Sequence, residues 1–320
     1  MRILDNHTIA NLLSLHQIID AVEVAMVAYE NKTATVPQRM HLDHGKNTLL
    51  CMPSMGEKYF STKLVSVFPQ NGKRKLPVTN GALLLNDGET GMPLALINAS
   101  KLTALRTGAL GAIGIKYLTP ATETSIGLIG CGIQGIHQAV FACAVRKIST
   151  IHYLHRSDED AVRLTAFVHD HFPEVSLVPG KSAEELLDKT TILVAATTSV
   201  EPVLPNDTTL LAGKHFISMG SYKPTMQELP DAVYQLADKL FIDSEFARHE
   251  VGDCINPVSR NLLKESDIFT IGKLLTREQT VDVSETTVYK SAGMALYDLF
   301  VAQAMYERAQ QLNAGVVVKF

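Results

Sequence analysis

The chain has little cysteine and places it without pattern: Cys51, Cys131, Cys143 and Cys254 form no C-x-x-C pair. This argues against a zinc knuckle or a redox dithiol, and no metal is expected; four scattered thiols fit a reducing compartment. Long apolar runs are also missing. No stretch approaches the roughly 18 apolar residues of a membrane span, and the first fifteen residues mix Arg2, Asp5, Asn6 and His7 into their apolar positions. Neither a signal peptide nor a membrane partner is expected, and the location predicted is cytoplasmic. Charge of one sign is lacking too, with 29 Lys plus Arg against 33 Asp plus Glu. The resulting pI near 6.3 leaves no electrostatic case for nucleic acid. No internal repeat is evident. What remains, 320 residues with 46% hydrophobic and 19% charged, fits about two folded domains with substantial cores.

The most informative stretch is Ser125 to Ser157, SIGLIGCGIQGIHQAVFACAVRKISTIHYLHRS. A short apolar run ends at Gly130, Gly132 and Gly135, spaced G-x-G-x-x-G, and a helical pattern follows. Strand before and helix after are the context a dinucleotide-binding turn requires. Gly130 permits the tight turn, Gly132 lets backbone N–H groups approach a pyrophosphate, and Gly135 lets the helix pack closely; the positive helix N-terminus then faces the phosphates. The second strand, Thr150 to Leu154, normally leads to an Asp or Glu that reads the ribose of NAD. Here residues 124–157 contain no acid, and the strand ends in His155, Arg156 and Ser157. Arg156 is suited to a 2'-phosphate, or is simply a solvated loop arginine. Asp158, Glu159 and Asp160 read as the first turn of a helix capped by Ser157.

Before this unit lies a small α+β region of antiparallel type. Ile18, Val22, Ala25 and Tyr29 mark the stripe of a packing helix. Thr48–Met52, Tyr59–Phe68, Asn80–Asn86 and Pro93–Ile97 read as strands, the last two joined around DGETG. Three cations sit oddly: Arg39 among extended residues after Pro37, Lys63 on the face of Val65 and Val67, and Arg106 on the nearly uncharged helix Ser100–Leu118. Each has a bland reading, respectively a solvated side chain, an exposed sheet edge and a structural salt bridge; a buried cation otherwise needs an anion, which a ligand can supply. Gly108, Gly111 and Gly114 predict close approach of another backbone to this helix. After Ser157, strands near Val175, Ile192–Ala196, His215–Met219 and Lys239–Ile242 alternate with helices, so the expected sheet is parallel and doubly wound. Ligands bind beyond the carboxyl ends of such strands, which nominates Thr197, Met219 and Ser221. Glu285–Asn313 reads as one long helix closed by Gly315 and returning to the first domain.

The stretches VPQRMHL, CMPS, STKLVSVFPQN, GALLLNDGETGMPLALINASKLTALRTGAL, IGCGIQG, SMGSYKPTMQEL and TTVYKSAGMALYDL, in this order, resemble the ornithine cyclodeaminase/mu-crystallin family over essentially the whole chain. The resemblance implies an α/β fold: a Rossmann-type doubly wound parallel sheet over residues 121–286, and a second α+β substrate and dimerisation domain from residues 1–120 plus 287–320. It also implies a homodimer. By the same likeness Arg39, Lys63 and Arg106 hold a substrate carboxylate. Thr79, Arg106, Thr107, Cys131, Ile133, Gln134, His155, Arg156, Ser157, Thr197, Met219 and Ser291 match cofactor-contacting positions, and HRS resembles the branch that prefers NADP(H), with NAD(H) as the other cofactor. One departure stands out: Tyr222 occupies the place of the cyclodeaminase catalytic aspartate. An ordinary tyrosine, with a pKa near ~10, is a poor base at neutral pH. The implied activity is therefore NAD(P)H-dependent reduction of a cyclic ketimine carboxylate in proline or pipecolate metabolism, with Tyr222 as a proton-donor candidate. The alternatives are an alanine or arginine dehydrogenase, an ornithine cyclodeaminase, and a mu-crystallin-like protein that binds NADPH and a small ligand without turnover.

Overall fold

The computed structural model describes residues 1–319, which divide into two compact units, residues 1–106 with 294–319 and residues 107–293. The chain opens with β1 (Arg2–Leu4), α1 (Asn6–Ala10), α2 (Leu15–Glu30), β2 (Met40–His44), β3 (Asn47–Met55), β4 (Tyr59–Val67), β5 (Thr79–Asp87), β6 (Pro93–Asn98) and α3 (Ala99–Leu118). It continues through β7 (Ser125–Ile129), α4 (Ile133–Val145), β8 (Thr150–Leu154), α5 (Asp158–His171), β9 (Ser176–Pro179), α6 (Ala183–Lys189), β10 (Ile192–Ala195), α7 (Thr208–Leu211) and β11 (His215–Ser218). Next come α8 (Asp231–Leu236), β12 (Leu240–Ile242), α9 (Ala247–Glu250), α10 (Gly252–Ser259), β13 (Ile268–Thr270), α11 (Gly272–Leu275) and β14 (Thr287–Lys290), and the chain closes with α12 (Ala295–Leu312) and β15 (Val316–Val317).

The first unit is a seven-stranded sheet, β15-β1-β6-β5-β4-β3-β2. It is antiparallel except for the pair β1–β6. One face is covered: α12 packs on α2, β3, β4 and β5, and Met52, Leu83, Leu85, Ala95 and Ile97 point into that core. Alternation sends Leu42, Leu49 and Leu64 to the other face, where they are exposed. Helix α2 begins as its sequence dictates, with Ser14 and Gln17 forming a reciprocal capping box and Ile18, Val22 and Ala25 buried.

The second unit is an eight-stranded sheet, β13-β12-β14-β11-β10-β7-β8-β9, in which every pairing is parallel. This is the Rossmann-type doubly wound arrangement. Order reverses between β7 and β10, which places the topological switch at the ends of those two strands. One core runs through Leu186, Leu193, Phe216, Val233, Leu240 and Val288.

Three readings need correction. Glu285–Asn313 is not one helix: Thr287–Lys290 is a buried strand between β11 and β12, and α12 starts only at Ala295. A four-residue strand buried on both faces has no alternation by which to declare itself. The helix also ends before Gly315, on Asn313 in the left-handed conformation (φ 50°). The glycines of α3 face side chains rather than backbone. A Cβ on Gly108 would lie 2.4 Å from the Phe141 ring, on Gly111 1.7 Å from the Gln138 amide oxygen, and on Gly114 2.4 Å from the Tyr289 ring. Gln138 completes that contact by donating to the Thr107 carbonyl at 2.8 Å. No described helix is long and apolar enough to cross a membrane.

Candidate active site

In the first unit, Lys63 lies on the buried face of β4, paired across the sheet with Met52 and Leu83, and is 2% exposed. Its ammonium donates to Asp298 Oδ2 at 2.5 Å, with Thr103 Oγ1 at 3.5 Å. Arg106, on α3, donates from Nε to the other oxygen, Asp298 Oδ1, at 3.1 Å. Asp298 is itself fully buried in the first turn of α12, where the helix dipole also favours a negative charge. The bland reading of Lys63 as an exposed edge residue is thereby overturned. The salt-bridge reading of Arg106 holds in part, because Nη1 and Nη2 donate to no described residue and stay available to a planar carboxylate.

Two cations share one anion, so this buried cluster keeps one unmatched positive charge. Burial pushes the Lys63 ammonium down, Asp298 pulls it back up, and Arg106 and then Arg39 push it down again, leaving it at about 8. Burial would raise the Asp298 carboxyl, but Lys63 and Arg106 override it and hold it below the ordinary aspartate value. Arg39, half-buried just before β2, is near enough for its charge to act on Lys63. Two of the three expected cations, Lys63 and Arg106, are thus joined through a residue that sequence reasoning missed. Asp298 reads in ALYDLF as one more polar position of a helix, and its partners lie 235 and 192 positions away.

In the second unit the glycine turn joins β7 to α4. Gly130 has φ +99°, and a Cβ there would lie 2.6 Å from the Ala196 carbonyl beyond β10. A Cβ on Gly135 would stand 1.8 Å from the Gly130 carbonyl, whereas one on Gly132, the α4 N-cap, would meet no atom within 4 Å. The turn is therefore tight on the protein side and open over Gly132, the shape a pyrophosphate needs beside a helix N-terminus. Cys131 is buried and donates to the Leu154 carbonyl at 3.3 Å; burial pushes its thiol up to about 12, so it serves packing, not nucleophilic chemistry. Ile133 is 62% exposed at the same turn. Two buried polar atoms beside it, Gln134 Oε1 and His155 Nδ1, have no partner. Such orphans are uncommon and fit a group that binds there.

Arg156 and Ser157 are exposed at the end of β8. Ser157 caps α5, accepting from Asp160 N at 3.3 Å, and Asp158, Glu159 and Asp160 form that helix's first turn. Beyond β10 and β11 lie Thr197 and Met219; Met219 N donates to the Ala195 carbonyl at 2.8 Å. The hydroxyls of Thr197 and Ser291 are already engaged, with Glu228 at 2.9 Å and Asp243 at 2.7 Å. Thr107 is buried on α3. Thr79 belongs to the first unit, where it is exposed at the start of β5 opposite Val67. Tyr222 is 49% exposed, with the Lys223 ammonium 5.5 Å from its ring. Glu228, six positions on, is wholly buried. No group of three or more His, Cys, Asp or Glu among the described residues is placed to hold a metal.

The model of the ornithine cyclodeaminase/mu-crystallin family matches residues 1–313. The chain belongs to this family. It is 34% identical to the Delta(1)-pyrroline-2-carboxylate reductase of Bacillus cereus, with 97% of each chain covered. Among solved structures it resembles the Thermococcus litoralis Delta(1)-pyrroline-2-carboxylate reductase in complex with NADH and L-proline, with TM-score 0.92 and 30% identity over 99% of this chain and 100% of that one. It is equally 30% identical to an archaeal alanine dehydrogenase dimer with bound NAD, with TM-score 0.91 over 100% of this chain and 99% of that one.

Proposed function

We propose that this family member reduces a small cyclic ketimine carboxylate, Δ1-pyrroline-2-carboxylate or the six-membered Δ1-piperideine-2-carboxylate, to L-proline or L-pipecolate. The observation that carries the reading is the cluster Lys63–Asp298–Arg106. It leaves one positive charge and the two guanidinium NH2 groups of Arg106 in a buried setting, matching a substrate with one carboxylate. The bound nicotinamide supplies the hydride for the imine carbon. The chain does the rest: Arg39, Lys63 and Arg106 hold the carboxylate and fix the ring, and the glycine turn holds the pyrophosphate. Lys63 Nζ keeps a proton that ionises at about 8, suited to delivery near neutral pH, with Tyr222 and water as the other donors.

NADPH is the preferred cofactor in this reading and NADH the weaker one. Support comes from Arg156, exposed at the end of β8 where an acid would read an NAD ribose. Two solved relatives hold NADH or NAD, so the preference rests on Arg156 and its loop alone. A homodimer is also proposed, on the outer face of the seven-stranded sheet. Met40, Leu42, Leu49 and Leu64 are 57%, 54%, 38% and 45% exposed there, an apolar surface of the kind that marks an interface.

A second reading, an amino acid dehydrogenase for alanine or arginine, is favoured by the 30% identity to the archaeal alanine dehydrogenase. Cyclodeamination is disfavoured, because Tyr222 supplies no carboxylate and the side chain of Glu228 is fully buried. A screen of NADPH and NADH oxidation over both cyclic imines and over 2-oxo acids with ammonia separates the readings. Turnover confined to the imines is expected, and turnover confined to pyruvate with ammonia would replace the proposal with the second reading.

A further inference from the structure

We propose that Glu228 is a positioning residue for the nicotinamide end of the bound dinucleotide, an assignment that rests on the dinucleotide reading above. Its side chain is wholly buried and accepts from five donors. Oε1 takes Thr197 N at 2.7 Å and Thr197 Oγ1 at 2.9 Å. Oε2 takes Gly220 N at 2.7 Å, Ser218 Oγ at 2.8 Å and Ser221 N at 3.3 Å. Thr197 follows β10 and Gly220 follows β11, so one carboxylate ties together the loops at the carboxyl ends of adjacent strands, the place where a parallel sheet binds its ligand. The tie is braced from a third strand: Lys290, the last residue of β14, donates to Ser218 Oγ at 3.1 Å and stands 3.9 Å from Glu228 Oε2.

The backbone of Glu228 is fixed as firmly. Asp253, also wholly buried, accepts from Glu228 N at 3.0 Å, Leu229 N at 3.0 Å and Tyr234 OH at 2.9 Å. Between the two loops there is no slack, since a Cβ on Gly220 would lie 1.9 Å from the Thr197 carbonyl and 2.5 Å from Glu228 Oε1. The glycine turn touches Ala196 and the Thr197 methyl after β10, and β11 lies beyond β10 on the side away from β7. Glu228 thus sets the spacing between the loop beside the turn and the next loop out from it. A glutamine has the same shape but only one acceptor oxygen; whichever way it turns, its NH2 group faces N–H and O–H donors on one loop, and one half of the tie opens.

The test compares NADPH with 2'-phospho-ADP-ribose, which lacks the nicotinamide, on the full-length protein. Glu228→Gln is expected to bind the fragment within about twofold of wild type while NADPH weakens by about tenfold or more, with kcat falling and KM for the imine little changed. Gly220→Ala, which leaves every charge in place and wedges the same loops, is expected to show the same split and decides the matter if the glutamine variant does not fold. Equal weakening of fragment and dinucleotide in both variants, or no weakening of either, would overturn the assignment while leaving the dinucleotide reading intact. Failure of the wild-type protein to bind NADPH, NADH or the fragment would overturn both.

Discussion

Lys63 and Asp298 stand 235 positions apart in the chain and 2.5 Å apart in the fold, both buried. In the proposed reaction this pair should make binding of the substrate carboxylate sensitive to pH. Below about 8 the ammonium is charged, and as pH rises through that value the charge is lost, so kcat/KM for the imine should fall on the alkaline side. Asp298→Asn removes the group that holds the Lys63 pKa up, and should move this limb to lower pH. Arg106→Met removes a charge that pushes it down and should move the limb to higher pH while raising KM. Asp298→Ala, which strands two buried cations, should also lower stability by about 3–5 kcal/mol. Superimposable pH profiles for wild type and Asp298→Asn would contradict the coupling.

Gly132 and Gly135 make different stability predictions from one motif. Gly132→Ala places a methyl where no protein atom lies within 4 Å and at an ordinary φ of −72°, so stability should stay within about 0.5 kcal/mol of wild type. The methyl should instead obstruct the pyrophosphate and weaken NADPH binding by about tenfold or more. Gly135→Ala, driven against the Gly130 carbonyl, should lose both stability and binding. Thermal melts with and without NADPH distinguish the two; a Gly132→Ala protein that binds normally would place the pyrophosphate elsewhere.

The glycine turn was readable because its parts are adjacent in the chain: strand, turn, helix and second strand fall within residues 125–157. The three cations were readable as anomalies, since a charge among apolar neighbours demands an explanation from local sequence alone. The counter-ion of Lys63 and Arg106 was not, because Asp298 meets those two only through tertiary packing of α12 on the sheet that holds Lys63. Glu228, Asp253 and Lys290 escaped for the same reason, each resembling an ordinary surface charge until β11, β14 and α10 come together. Strand β14 was lost in the apparent period of the helix that follows it, and its four residues were too few to break that pattern.

Arg156 is exposed and its neighbours Ser157 and Asp160 bond each other, so its charge can be changed without unpacking a core. Arg156→Asp should reverse the preference from NADPH to NADH, by repelling a 2'-phosphate and accepting from a ribose hydroxyl. Kinetics with both cofactors check this; a wild-type protein at least as efficient with NADH would remove the NADP assignment and leave the fold untouched.

Leu42 and Leu49 are partners across β2 and β3 on the exposed face of the seven-stranded sheet. Replacing Leu42 and Leu64 with Glu should yield a folded monomer, since the charges would have to be buried on association. Sedimentation against wild type measures the change, and an unaltered dimer, or a wild-type monomer, would exclude this face.

The most direct test mixes the purified protein with NADPH and Δ1-pyrroline-2-carboxylate and measures NADPH consumed and L-proline formed. The account predicts equal amounts of each, with no appreciable ammonia released from L-ornithine under the same conditions. Rapid proline formation from ornithine, with neither cyclic imine reduced, would contradict it.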